Sequence, residues 1–111
     1  MIKKIDLKTL KDKIEKQKVN LIDVLDEESY KKVHIKGAIN IPFLKLDKKE
    51  VVKKKIDPEK ETVVYSIDYD CPVSKIAAGK LNNLGYKNVF YYPGGKQEWL
   101  EADLPVVKSG H

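Results

Sequence analysis

The most informative absence in this 111-residue chain is arginine, because all 22 of its basic residues are lysines. Arginine grips phosphate and carboxylate groups through two parallel hydrogen bonds, and the ammonium group of lysine cannot make that bidentate contact. Phosphatases that attack with a cysteine depend on an arginine to hold the transferred phosphoryl oxygens. The composition therefore excludes that class of enzyme.

Cysteine is almost as scarce, with a single Cys accompanied by two His. One cysteine cannot form a disulfide within the chain, and so few sulfur and imidazole ligands disfavour an all-protein zinc site. We therefore expect no metal and no cofactor.

Long hydrophobic runs are missing as well. The apolar runs extend over about four or five residues, far short of the roughly 20 that cross a bilayer. The N-terminus reaches Asp6 without the apolar segment of a secretory signal. We expect no membrane partner, and a reducing cytoplasm as the location.

The charged residues make up 35% of the chain and leave a formal net charge of +5. Lysines alternate with acidic residues along most of the sequence, and even the triplet at 53–55 lies between Glu50 and Asp57. A basic stripe interleaved with aromatic residues, which is typical of nucleic-acid binding, does not occur. The charge pattern indicates a solvated lysine-rich surface, and we expect no nucleic-acid partner.

Short apolar segments alternate with helical patterns, which predicts an α/β fold. Strands are predicted at 19–24, 38–41, 62–66 and 89–92, and helices from Leu7, at 26–30, around 48–55, from Pro72 as first helical residue, and around Trp99. No linker or repeat interrupts the chain, so residues 1–111 are interpreted as one domain with a core of about 5–107 and a tail at 109–111. Buried strands alternating with helices favour a mostly parallel sheet covered on both faces.

The single cysteine lies where such a sheet binds ligands. Cys71 ends the loop that follows the predicted strand at 62–66, directly before Pro72. Carboxyl ends of parallel strands host ligand sites, and a helix start favours a thiolate, the form that reacts in sulfur transfer and redox chemistry. The alternative is a cysteine that serves as a small buried hydrophobic residue.

Several blocks of the sequence resemble the single-domain rhodanese-like family. They occur in the family's order at 21–30, at 34–42 (His-Ile-Lys-Gly-Ala-Ile-Asn-Ile-Pro), at 63–65, at 84–89, at Gly94–Gly95 with Trp99, and at Leu104–Pro105. The resemblance implies a central sheet of about five short, mostly parallel strands with helices on both faces. It also implies transfer of sulfane sulfur through a persulfide on Cys71, from a small donor or a persulfide-bearing protein to a thiophilic acceptor.

The resemblance makes Cys71 the candidate catalytic residue. The loop N–H groups would cradle the outer sulfur, and the candidate substrate-binding residues are the neighbours of the cysteine, Asp70, Pro72, Val73, Ser74 and Lys75. Family members commonly have their Cys directly after the strand, where this chain has Ser66, and a basic residue, often arginine, about five residues later. Here Lys75 is the nearest cation along the sequence after the cysteine.

The acidic flank of Cys71 modifies this expectation. Asp68 and Asp70 disfavour a thiolate and repel an anionic donor such as thiosulfate. We expect weak thiosulfate activity and a better fit to a protein-bound or neutral persulfide donor. Two alternatives remain open: a weak or inactive module that binds or regulates a partner, and a redox sensor in which Cys71 needs an external thiol to be resolved.

Four further positions carry expectations of their own. His34 is predicted to be structural and hydrogen-bonded, and Asp23 to fix a loop or pair with a lysine. The Gly94–Gly95 pair is typical of a tight turn with a positive φ. Ser66 could replace the nucleophile only if a base lay beside it.

Overall fold

A five-stranded, fully parallel sheet forms the centre of the computed structural model, which describes residues 2–108. The strands of the fold are β1 (Ile2–Lys4), β2 (Val19–Asp23), β3 (Val33–Ile35), β4 (Ile39–Asn40), β5 (Glu61–Tyr65), β6 (Val89–Tyr92) and β7 (Val106–Lys108). The central sheet has the order β1-β6-β5-β2-β4, while β3 and β7 pair antiparallel in a separate ribbon. The predicted tail at 109–111 lies outside the described residues.

Five α-helices and one short 3₁₀ turn (Phe43–Lys45) connect the strands. The helices are α1 (Leu7–Glu15), α2 (Glu27–Lys32), α3 (Lys49–Lys55), α4 (Val73–Asn83) and α5 (Gly95–Glu101). Asp6 and Asp26 begin the first two helices by accepting hydrogen bonds from the amides of Thr9 and Ser29, and these bonds lower the pKa of both carboxyl groups. Within residues 2–108, no helix has the length and apolar content to span a membrane.

The hydrophobic core is divided into two clusters by the central sheet. Side chains alternate along the buried strands, so that Leu21 and Val63 join the cluster with Leu10 of α1 and Trp99 of α5. Ile22 and Val64 belong to the other cluster, with residues of α3 and α4 including Val52, Ala77 and Leu81. The predicted α/β fold with helices on both faces of a parallel sheet is thereby confirmed.

Three strands were absent from the sequence prediction, namely β1, β3 and β7. Each has three residues, and β1 and β7 carry exposed lysines where an isolated strand would show an apolar face. Their strand conformation comes from pairing with distant segments, which local propensity does not report. The structure also corrects the start of α4, because Pro72 is its N-cap and Val73 its first helical residue.

Candidate active site

Cys71 lies in the loop that connects the carboxyl end of β5 to the start of α4, as predicted. It is a free thiol of intermediate exposure, placed one residue before the N-cap Pro72. β5 is hydrogen-bonded to β2 on one side and to β6 on the other, so this loop emerges from the middle of the sheet. The sulfur therefore combines a rigid support with access to solvent.

The cysteine sulfur contacts a serine from the beginning of the same loop. The Oγ of Ser66 lies 3.3 Å from the Sγ of Cys71, within the range of a hydrogen bond to sulfur. Ser66 is only 2% exposed, whereas Cys71 is partly open to solvent. Ser66, which directly follows β5, thus contacts the sulfur from the protein interior.

Asp68 folds the loop back on itself. Its carbonyl oxygen accepts a hydrogen bond from the Cys71 amide at 3.2 Å, and its Oδ1 accepts one from the Asp70 amide at 3.0 Å. A side chain that caps the amide two residues later is a common means of closing a turn. This turn returns the chain from Ser66 to within contact distance of the cysteine.

The first turn of α5 supports the loop through backbone hydrogen bonds. The Lys96 amide donates to the Ser66 carbonyl at 3.0 Å, and the Gln97 amide donates to the Ile67 carbonyl at 2.9 Å. Gly95 has a φ of +66°, and a Cβ there would lie 2.7 Å from the Ile67 carbonyl oxygen. The predicted glycine turn with a positive φ is confirmed, and Gly95 lets the backbone of α5 approach the loop.

Glu98 provides a further connection between α5 and its surroundings. The hydroxyl of Tyr92 donates to Glu98 Oε1 at 2.5 Å, and burial together with the Glu98 carboxylate raises the pKa of Tyr92. Burial and Glu98 also raise the pKa of Tyr69, whose ring is 63% exposed on the Cys71 loop. The same carboxylate therefore interacts with the sheet and with the loop.

A buried ion pair lies at the carboxyl end of β2, next to β5. Asp23 is 0% exposed and Lys96 is 3% exposed, with 3.5 Å between Oδ2 and Nζ. The Leu25 amide and the Tyr65 hydroxyl donate to the two oxygens of Asp23, and the ammonium group also donates to the Ser29 carbonyl. The prediction that Asp23 fixes a loop or pairs with a lysine is confirmed.

Burial has the largest effect on the pKa of Asp23 in this pair. It raises the pKa of Asp23, and the Leu25 amide, the charge of Lys96 and the Tyr65 hydroxyl act in the opposite direction. The pKa of Tyr65 is also raised, first by burial and then by the neighbouring carboxylate. Each polar atom of the pair is therefore held by a specific partner, as buried charges require.

His34 has the structural role that its sequence context predicted. Its Nδ1 lies 2.8 Å from the Tyr30 carbonyl oxygen, and its ring stacks on the Tyr30 ring with the centroids 3.8 Å apart. Both residues belong to the segment of α2 and β3. His34 therefore stabilises that segment.

The five predicted substrate-binding residues differ in their access to solvent. Asp70, Pro72 and Lys75 are exposed around Cys71, whereas Ser74 is 2% exposed and Val73 packs against the core cluster of α4. Their binding roles stay predictions. Among residues 2–108, no cluster of three or more His, Cys, Asp or Glu could hold a metal ion.

Two features of the site were missed by sequence reasoning. The contact between Ser66 and Cys71 depends on the path of the loop at 66–72, and no spacing rule describes that path. Lys96 looks like any of the 22 lysines in the sequence. Its position directly after a glycine pair that turns into a helix was the one available signal.

Comparison with known proteins agrees with this architecture. Residues 6–102 match the model of the rhodanese-like domain. The putative sulfur carrier protein YrkF of Bacillus subtilis is 29% identical over 99 residues, which cover 88% of this chain and 51% of YrkF. The chain thus spans about half the length of that relative.

Two other matches are closer to this chain in length. The thiosulfate sulfurtransferase GlpE of Vibrio cholerae is 28% identical over 105 residues, covering 95% of this chain and 94% of GlpE. The crystal structure of the BH2092 protein of Bacillus halodurans superposes with a TM-score of 0.88 at 29% identity, covering 96% of this chain and 77% of that one. With the family model matching most of its length, the chain belongs to the rhodanese-like domain family.

Proposed function

We propose that this protein carries sulfane sulfur as a persulfide on Cys71 and transfers it to a thiophilic acceptor. The observation that carries the proposal is the position of a free, partly exposed cysteine in the loop between the carboxyl end of the central strand β5 and the start of helix α4. Similarity to proteins named as a sulfur carrier and a sulfurtransferase supports it.

The chemistry needs two displacements at sulfur. In the first, the Cys71 thiolate attacks the outer sulfur of the donor, and the donor's S–S bond breaks with its electron pair leaving on the donor thiolate, or on sulfite when the donor is thiosulfate. In the second, an acceptor thiolate attacks the outer sulfur of the Cys71 persulfide, and the pair of the broken bond returns to Sγ. Atoms and electrons balance without an external oxidant or reductant.

The charges around the loop favour a donor other than thiosulfate. Asp68 and Asp70 add two negative charges beside the cysteine, and the chain has no arginine to receive a dianion. Ile67 and Tyr69 are 41% and 63% exposed on the same loop and offer apolar contact area to a protein. A persulfide-bearing protein or a neutral sulfane donor therefore suits this site best, in a reducing compartment such as the cytoplasm.

Intact-protein mass spectrometry tests the proposal directly. After incubation with a small-molecule persulfide, with thiosulfate or with a protein persulfide, we expect a mass increase of about 32 Da, one sulfur atom, on the wild-type chain. The Cys71→Ser variant, which lacks the single thiol, should take up none. Failure of all three donors to label the wild type would overturn the proposal and favour a module that only binds a partner.

A further inference from the structure

We propose that the Ser66 hydroxyl is a catalytic group that donates a hydrogen bond to the sulfur of Cys71 and stabilises its thiolate. The inference rests on the proposed function, because it concerns the nucleophile of that reaction. It assigns a role to the residue that stands at the family's usual cysteine position. The geometry behind it is the 3.3 Å separation between Ser66 Oγ and Cys71 Sγ.

The direction of the hydrogen bond follows from the chemistry of the two groups. In the thiol state either atom can donate, but a thiolate carries no hydrogen, so only the serine can donate to it. Ser66 is 2% exposed, which leaves little room for water to compete for its hydroxyl. Hydrogen bonds to charged acceptors are about twice as strong as those between neutral groups.

Both ends of this contact are held in place by the backbone. The Ser66 carbonyl accepts from the Lys96 amide at 3.0 Å, and the Cys71 amide donates to the Asp68 carbonyl at 3.2 Å. Ser66 also directly follows Tyr65, the last residue of the buried strand β5. The donor is thus positioned before the thiolate forms and needs little reorganisation when it does.

The charges of the loop explain why such a donor matters here. Asp68 and Asp70 bring two carboxylates into the same loop as the sulfur, and Lys75 is exposed, where solvent weakens its influence. A buried hydroxyl in contact with Sγ offsets the two carboxylates at the reacting atom. It acts in the attack on the donor and again when Sγ leaves as a thiolate during transfer to the acceptor.

Alkylation of Cys71 by iodoacetamide at a fixed pH of about 7 tests the contact. Loss of one charged hydrogen bond in Ser66→Ala should lower the thiolate fraction about tenfold, partly offset by the higher nucleophilicity of the remaining thiolate. The expected net result is an alkylation rate about threefold lower than that of the wild type. Ser66→Thr, which keeps the hydroxyl, should restore most of the rate.

Thr62→Val is the matched control, because Thr62 is a hydroxyl residue on β5 that is 1% exposed and bonds to Asn20 at the other end of the strand. It should alkylate at the wild-type rate. A wild-type rate in Ser66→Ala, or an equal loss in Thr62→Val, would overturn the proposal. Alkylation needs no sulfur donor, so this outcome is separate from the mass test, where failure of wild-type loading would overturn the sulfur-transfer function itself.

Discussion

Two groups of charges lie at the carboxyl end of the central sheet, and they are held in opposite ways. Asp23 and Lys96 are almost completely buried and bonded to each other and to backbone or tyrosine partners. Asp68, Asp70 and Lys75 lie in the cysteine loop and the first turn of α4, and Asp70 and Lys75 are exposed. The first group fixes the scaffold, and the second determines what approaches the sulfur.

Lys96 connects the two groups, because its ammonium group bonds to Asp23 and Ser29 while its amide holds the Ser66 carbonyl. Buried charges are costly unless each is paired, so losing one member of the pair should affect folding. Exposed charges contribute little to stability. Changes in the loop should therefore alter reactivity and leave the fold intact.

The largest effect is expected for Lys96→Met, which leaves the Asp23 carboxylate buried without its counter-charge. We expect a loss of about 3–5 kcal/mol in the free energy of unfolding at about pH 7, measured by urea denaturation. Removing Lys96 also removes a group that lowers the pKa of Asp23, so this raised pKa should rise further. The folded variant then binds the Asp23 proton more tightly than the unfolded chain, and its deficit should shrink as the pH falls through that pKa.

Lys75→Met serves as the matched control for this comparison. It removes the same charge from an exposed position on α4 and should change stability by no more than about 0.5 kcal/mol. Equal losses in the two variants would mean that the buried pair has no special role in stabilising the fold.

The sequence carries enough local information to predict most of the scaffold. Asp6 can be recognised as a helix cap, the acids at 26–28 as the start of a helix, and the apolar run at 62–66 as a central strand, because these signals act within a few residues. β1 and β7 could not be found in this way, because each becomes a strand through a partner far along the chain, Ile2 opposite Val89 and Val106 opposite Ile35. The strand conformation of β1 and β7 therefore depends on the assembled fold.

The same distinction between local signals and tertiary packing applies to the candidate site. The position of Cys71 between a strand and a helix follows from local patterns, and the structure confirms that position. The contact with Ser66 and the burial of Lys96 depend on how the loop and α5 pack together. A lysine in the sequence does not show whether its ammonium group faces water or a carboxylate.

The next effect in size concerns the contact between α5 and the loop. Gly95→Ala forces a Cβ to within 2.7 Å of the Ile67 carbonyl, at a residue with a φ of +66°. We expect a stability loss of about 1 kcal/mol or more from the backbone conformation. Displacement of the loop should also slow persulfide formation on Cys71 on the order of tenfold.

Gly85→Ala separates the effect of the strained backbone conformation from the effect of displacing the loop. Gly85 has a φ of +107°, but a Cβ there meets no atom within 4 Å. This variant should lose only the part of the stability that comes from the backbone conformation, about 1 kcal/mol, and should load sulfur at the wild-type rate. If both variants slowed loading equally, the approach of Gly95 to the loop would have no functional consequence.

The smallest effect is expected from the exposed charges of the loop. The double variant Asp68→Asn/Asp70→Asn keeps a side-chain oxygen that can accept from the residue 70 amide but removes two negative charges. Its rate of sulfur uptake from thiosulfate should rise about threefold at low ionic strength, because a dianion is no longer repelled. The gain should shrink as salt is added, since Asp70 is exposed and Asp68 is partly exposed, so that dissolved ions screen both charges.

A neutral dialkyl trisulfide is the matched donor for this last experiment, because it carries sulfane sulfur without a charge. The Cys71 thiolate attacks its central sulfur, one alkyl thiolate leaves, and the rate at which the mixed trisulfide forms on Cys71 is compared with the rate of uptake from thiosulfate. Any part of the gain that comes from an effect of the two charges on Cys71 itself is common to both donors. The additional gain with thiosulfate measures repulsion of the donor alone. An identical, salt-independent gain with both donors would show that the two aspartates act on Cys71 and do not select the donor. The loop charges would then resemble the buried pair, because both would act on other groups of the protein.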